Sequence, residues 1–243
     1  MNYSRLLCKA DYALFEEHKE VEALVNAQPG LFRYEHEHRK WEYGLCLKFL
    51  KSATHDTPQD HGPRTTGRTV LEVGGGGSPL SAMLALRGYE VTVLDPWDAS
   101  ADLKRQTAAL GHEVRYVPEE LLGFADREAK NRQFDFVVST SVVEHVPFDH
   151  AFVDAMARLA RRATFLTTDF HPTGQPFSQA HHRTYNEVSL FALGTVQARR
   201  GFELADDAIP RRPGCCLPEW DYRPEHELVY QYTFASLAMV KAI

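Results

Sequence analysis

The chain has 243 residues, of which 44% are hydrophobic and 25% charged, and its formal net charge is −6. This composition excludes a disordered chain, and the negative balance excludes an electrostatic case for nucleic acid or an anionic membrane surface. No apolar run approaches the roughly 20 residues of a membrane span, and Lys9 and Asp11 interrupt any signal-peptide core, so a cytoplasmic protein is expected.

In chain order, Leu6, Leu7, Ala10, Leu14, Val21, Leu24 and Val25 recur at helical spacing, which predicts a helix over 3–28 that Pro29-Gly30 ends. A second helix is expected over about 35–52, carrying Trp41, Leu45, Lys48 and Phe49. Residues 53–68 are polar and rich in Pro and Gly, so they read as a linker. Residues 1–67 therefore form an N-terminal helical cap and linker, ahead of one domain over 68–243. In that domain strands are expected at 70–73, 90–95, 113–117, 134–139 and 164–168. Helices are expected between them at 79–87, 99–110, 119–130 and 147–161. A loop at 170–184, a helix at 187–200, a strand at 202–205, a loop to about 226 and a long strand at 228–241 follow. The rhythm predicts an α/β fold: a Rossmann-like, doubly wound, mostly parallel seven-stranded sheet with a late antiparallel strand. Ligands of such sheets bind outside the carboxyl ends of the strands. The four cysteines have no CxxC spacing, so free thiols are expected.

The chemistry concentrates at Thr69-Val-Leu-Glu-Val-Gly-Gly-Gly-Gly-Ser-Pro79. An apolar strand runs into four glycines, and Ser78 and Pro79 suit a helix N-cap and first turn. The free N–H groups of such a turn form a polar cradle for a ligand. Glu72 places a charge inside an apolar strand and demands a reason. Asp95 closes the second strand about 20 residues further on, where nucleotide-binding units place an acid for the ribose hydroxyls. Pro96 adjoins it, and Trp97 suits stacking on a base. Glu119 or Glu120, after the third strand, is within reach of the base. A dinucleotide motif wants a third glycine or alanine where Pro79 stands. S-adenosyl-L-methionine has no pyrophosphate and needs that glycine less.

These residues resemble the class I S-adenosylmethionine-dependent methyltransferases. Val70-Leu-Glu-Val-Gly-Gly-Gly-Gly-Ser78 is similar to their first motif, Val93-Leu94-Asp95 to their second, and Phe134-Asp-Phe-Val-Val-Ser-Thr-Ser-Val-Val-Glu-His-Val146 to their fourth-strand motif. Arg39-Lys-Trp-Glu-Tyr43 and His182-Arg-Thr-Tyr185 more weakly resemble bacterial small-molecule and sugar O-methyltransferases. The resemblance implies S-adenosyl-L-methionine as cofactor. Glu72, Gly74, Gly75 and Gly76 would hold its methionine end and Asp95 its ribose, while Ser139, Thr140 and Ser141 would form the cleft floor. The expected reaction is O-methylation of a small molecule, a sugar or secondary metabolite.

A hydroxyl acceptor needs a base, and histidine suits that role near neutral pH. His145, after the fourth strand, and His171, with Asp169 two residues before it, are the candidates; His150, His181 and His182 also lie on the cleft side. Glu144-His145 is similar to the metal-assisted quinone-pathway O-methyltransferases, but Ser141 stands where those carry another acid, so no metal is expected. The expected partner is a small-molecule acceptor, with no nucleic acid or membrane, in a monomer or homodimer. Two other classes stay open: an NAD(P)-dependent enzyme on the same layout, and a non-catalytic S-adenosylmethionine-binding or partner-binding protein.

Overall fold

In the computed structural model, which describes residues 19, 23, 26, 38–55, 68–97, 101, 111–171, 182–205 and 233–242, seven strands join in one sheet. The elements run α1 (His38–His55), β1 (Arg68–Val73), α2 (Leu80–Leu86), β2 (Tyr89–Leu94), β3 (Arg115–Val117), α3 (Leu121–Glu128), β4 (Phe134–Thr140), a 3-10 turn (Val143–His145), α4 (Asp149–Leu159), β5 (Ala160–Phe170), α5 (Glu187–Ala198), β6 (Phe202–Leu204) and β7 (Thr233–Lys241). The helices expected over 3–28 and 99–110 lie almost wholly outside the described residues, as do His181, the loop over 206–226 and residues 228–232 of the last strand.

The sheet order is β3-β2-β1-β4-β5-β7-β6. The first five strands in that order are parallel, and β7 runs antiparallel between β5 and β6. The mostly parallel sheet and the late antiparallel strand are as the alternation of strand and helix signals implied. The chain winds outward from β1 to β3 and then returns to β4 on the other side of β1. Strand order therefore reverses between β1 and β4, and a crevice opens above their carboxyl ends.

Each face of the sheet has its own core, because side chains alternate along a strand. Leu71, Val73, Val137, Leu166 and Leu237 pack with Leu121 and Phe124 of α3, Phe152 and Met156 of α4, and Leu190 and Leu193 of α5. Val70, Val91, Phe136, Val138 and Phe165 pack on the opposite face with Trp41, Leu45 and Phe49 of α1 and Leu80, Met83 and Leu84 of α2. The helix over 38–55 thus shares a core with the sheet: Trp41, Leu45 and Leu50 are fully buried, and the Phe49 and Phe165 rings stack at 5.7 Å. This docking brings the polar residues of α1 to the carboxyl end of the sheet. β5 extends beyond the expected 164–168 at both ends, because Ala163 before that run and Asp169 and Phe170 after it also pair with β7.

Candidate active site

The glycine turn follows β1 directly. Gly74 continues the ladder, its N–H bonding the Leu94 carbonyl at 2.8 Å, and the Ser78 N–H closes the turn on the Gly75 carbonyl at 2.6 Å. Gly74 and Gly76 lie at φ +73° and +45°, a region that side-chain-bearing residues rarely adopt. Space is as tight as the backbone. A Cβ on Gly74 would meet Val142 Cγ2 at 2.4 Å, and one on Gly75 would meet Glu72 Cδ at 2.7 Å. Ser78 has two roles: its hydroxyl accepts the Leu80 N–H at 3.1 Å as a cap and donates to Glu72 Oε1 at 2.8 Å. Pro79 already has helical backbone angles, so the expected cap and first turn are in place within one residue.

Glu72 is fully buried, and its Oε2 has no hydrogen-bond partner among the described residues. Burial pushes its carboxyl up to about 8, the Ser78 hydroxyl opposes the rise, and Asp95 adds to it. The acid thus sits under the glycine turn, with one oxygen fixing that turn through Ser78.

Asp95 lies at the end of β2 with 7% exposure. Its Oδ1 accepts the Trp97 N–H at 2.8 Å, and its Oδ2 would stand 3.3 Å from a Cβ on Gly76. The carboxylate therefore overhangs the glycine turn, and β1 and β2 bring Glu72, Gly74, Gly75, Gly76 and Asp95 together. Pro96 and Trp97 are exposed on the rim, and the Tyr116 hydroxyl donates to the Asp95 carbonyl at 3.0 Å. Glu119 lies after β3, where its carboxylate pairs with Arg127 at 2.8 Å. Glu120 precedes α3 without a side-chain cap bond.

Ser139, in line with Val73 across the β1–β4 ladder, donates from Oγ to the Val73 carbonyl at 3.1 Å. Ser141 takes φ +50°, the one such non-glycine among the described residues. Its N–H bonds both the carbonyl and the hydroxyl of Thr167 at 3.1 Å, and its own hydroxyl donates to Glu42 Oε1 at 2.5 Å. Thr167 Oγ1 donates to the same Glu42 oxygen. Arg39, one turn earlier on α1, donates to Glu42 Oε2 at 3.0 Å and to the Thr140 carbonyl at 3.4 Å. A strained residue at a strand end is thus held by a helix far away in sequence.

Beyond this lies a second layer of acids. Glu144, buried in the 3-10 turn, accepts from Thr168 Oγ1 at 3.2 Å, and Asp169, with 4% exposure, shares a 2.5 Å hydrogen bond with His182 Nε2. Three buried carboxyls, Glu42, Glu144 and Asp169, face one guanidinium. They cannot all ionise there. Burial first, then Glu42, pushes Asp169 up to about 8 against the pull of Arg39. Burial, then Asp169, pushes the Glu144 carboxyl well above the usual carboxylate range. Burial opposes charge on Arg39, yet Glu42, Tyr43 and Glu144 outweigh it and keep the guanidinium charged. Burial lowers His182.

Of the expected bases, His145 is exposed, with its ring 4.4 Å from the His182 ring. His171 follows β5, its N–H on the Tyr185 carbonyl at 2.7 Å. Asp169 bonds His182, which Asp169's spacing to His171 gave no reason to prefer. The cause lies in the next segment: Tyr185 forms a bridge with Phe170, the Tyr185 N–H bonds the Asp169 carbonyl at 2.9 Å, and the Arg183 N–H bonds the Glu144 carbonyl at 3.0 Å. No group of three or more His, Cys, Asp or Glu suited to a metal occurs among the described residues. No helix among them is long and apolar enough to cross a membrane.

Residues 71–167 match the model of a family described as a methyltransferase domain. With the reversed strand order and the glycine turn between two acids, this match marks residues 71–167 as a methyltransferase domain on the class I S-adenosylmethionine-dependent fold. Within that class it is similar to the ubiquinone biosynthesis O-methyltransferase of Paramagnetospirillum magneticum, with 37% identity over 119 residues, 47% of this chain and 45% of that one. The chain spans about half the length of the curated relatives it matches. Among solved structures it is similar to 1,6-didemethyltoxoflavin-N1-methyltransferase of Burkholderia thailandensis (16% identity, TM-score 0.55, 98% of this chain and 92% of that one). It is also similar to the 4+2 cyclase SpnF (14% identity, TM-score 0.57, all of each chain). At these identities the structures speak for the fold alone.

Proposed function

We propose that the protein transfers the methyl group of S-adenosyl-L-methionine to a hydroxyl of a small molecule. The observation that supports this most is the glycine turn, closed on one side by buried Glu72 and overhung on the other by Asp95. The residues fit the cofactor: the turn leaves no room for a Cβ at Gly74 or Gly75, the unpartnered Glu72 Oε2 lies beneath it, and Asp95 offers a carboxylate for two ribose hydroxyls. When bound, the cofactor supplies an electrophilic methyl group on a sulfonium. In this reading Glu72, Gly74, Gly75 and Gly76 hold the methionine end, and Asp95, Pro96 and Trp97 hold the ribose and base, with Glu119 at the edge. Ser139, Thr140 and Ser141 form the floor towards the acceptor. α1 and the segment just before α5 border the acceptor side, as segments on a rigid scaffold do.

Support for a hydroxyl acceptor comes from the partial similarity to ubiquinone biosynthesis O-methyltransferases and from the histidines and carboxyls gathered beyond β4 and β5. A sugar or secondary metabolite is the acceptor class this reading favours. Calorimetry with S-adenosyl-L-methionine and with NAD(H), followed by a screen of hydroxylated acceptors with labelled methyl donor, tests the reading. Binding of the methyl donor and label in a hydroxylated product are expected. Tight NAD(H) binding without binding of the methyl donor would overturn it.

A further inference from the structure

Asp169 and His182 come from different parts of the fold, and both are fixed. Asp169 stands at the carboxyl end of β5, three residues past Leu166, which pairs with Ser139. At about 3.3 Å per residue, it lies roughly 10 Å above that row and one strand beyond β4, on the acceptor side of the crevice. His182 is presented by a pinned segment. Next to it, Arg183 bonds the Glu144 carbonyl through its backbone, and the carboxylate of Asp149 at 2.9 Å and the Val146 carbonyl at 2.8 Å through its guanidinium. Tyr185 donates from its hydroxyl to the Val143 carbonyl at 3.2 Å and to Asp149 at 3.0 Å. The His182 side chain keeps 23% exposure while Asp169 keeps 6%, so the pair has a buried end and a more open end.

We infer that Asp169 and His182 form a one-proton unit that takes the proton of the acceptor hydroxyl, with His182 Nδ1 as the receiving atom. The inference rests on the proposed hydroxyl acceptor. In the step, an oxygen lone pair forms the new C–O bond as the C–S bond breaks, and that bond's electrons stay on sulfur. The hydroxyl proton passes to Nδ1, and the resulting imidazolium is held by the Asp169 carboxylate. His182 touches the proton in transit, and Asp169, which acts through His182 Nε2, is a positioning residue. His145, whose ring lies tilted at 55° and 4.4 Å from the His182 ring, is a positioning residue beside it.

The state of the unit depends on pH. Asp169 faces Glu42 and Arg39 from α1, Glu144 and His145 border the pair from the 3-10 turn, and Arg183 with Asp149 closes it from the side. Burial and Glu42 push the Asp169 carboxyl up to about 8. Below that pH the protonated carboxyl donates to Nε2, and the imidazole proton sits on Nδ1. Above it the carboxylate accepts from Nε2–H, and Nδ1 carries the lone pair. The base is therefore made by the loss of one proton, and activity rises through that pH.

Nitrogen-detected imidazole NMR on the full chain, with no acceptor, reads this directly. His182 is expected to pass from the Nδ1–H to the Nε2–H tautomer as pH rises through about 8, and Asp169→Asn is expected to abolish the passage. A His182 that keeps one tautomer from below to above that range, or that still switches in Asp169→Asn, overturns the inference. Two probes differing only in the nucleophile, 3,4-dihydroxybenzoate and 3,4-diaminobenzoate, supply the kinetic readout. The wild type is expected to methylate the diol with an alkaline limb, and His182→Gln to lose about 100-fold in kcat with unchanged affinity for S-adenosyl-L-methionine. Equal turnover of the diol by His182→Gln overturns the base alone. Methylation of the diamine but not the diol overturns the hydroxyl reading together with it.

Discussion

The crevice has two halves built on different principles. Over β1 and β2 the shape is set by backbone: glycines at positive φ, a short turn, and two acids a few residues away along the same strand–turn–helix unit. Over β4 and β5 it is set by side chains from distant segments: Glu42 and Arg39 of α1, Ser141, Thr167 and Asp169 at the strand ends, and His182 from the segment before α5. Backbone-built sites are local and transferable, whereas side-chain-built sites exist only after the elements have packed. In the proposed function the first half holds the cofactor and the second faces the acceptor.

The sharpest way to break this contrast is Glu42→Ala. It leaves the Arg39 guanidinium, Ser141 Oγ and Thr167 Oγ1 buried without their common acceptor, and it is expected to cost about 3–5 kcal/mol. Urea unfolding measures it, and a loss below about 1 kcal/mol would show that the network is incidental to the fold. The cofactor half should meanwhile keep its affinity for S-adenosyl-L-methionine in whatever fraction remains folded.

Next in size is the pH dependence of Glu72. Its folded carboxyl lies at about 8 against an ordinary value of 4.5, so the folded state binds the extra proton. Its contribution is full below pH 4.5 and is lost as pH rises through 8, about 4 kcal/mol of it between pH 5 and 9. Unfolding followed from pH 5 to 9 should show stability falling, and Glu72→Gln should flatten that slope. An unchanged slope in the variant would remove Glu72 as the cause.

Gly74→Ala tests the backbone half. Left-handed strain of roughly 1–2 kcal/mol adds to the clash with Val142, 2.4 Å from the new Cβ. A loss of about 2–3 kcal/mol in stability is expected, together with loss of cofactor binding. Retained binding would show that the turn is softer than its geometry implies. The smallest effect is on affinity alone: Asp95→Ala should weaken S-adenosyl-L-methionine by about 2 kcal/mol, roughly 30-fold, through lost charged hydrogen bonds. Calorimetry that finds unchanged affinity would take Asp95 out of the site.

The same contrast explains what was legible in the sequence. Val70 to Pro79 and Asp95 could be read because the strand, the turn and the cap are encoded within a few residues, and glycine's conformational freedom is a property of the residue itself. Glu72 stood out as a charge in an apolar strand, and its place under Ser78 supplies the reason. The mostly parallel, doubly wound sheet with its late antiparallel strand followed from the alternation of strands and helices, while the strand order itself came from the fold. Glu42 carried no such signal. It sits in a helix among other charged residues, and only docking of α1 on the sheet makes it buried. Asp169 was visible, but its partner was not. His171 is two residues away, whereas His182 is brought in by the Phe170–Tyr185 bridge.

The sequence by itself determined the class of fold and the β1–β2 half of the crevice, since both follow from periodicity and from residues close together in the chain. Tertiary structure decided the β4–β5 half. Three buried acids, one arginine and a histidine meet there across more than a hundred residues. Their ionisation is set by burial and by each other, and neither exists until α1, β4, β5 and the segment before α5 are packed together.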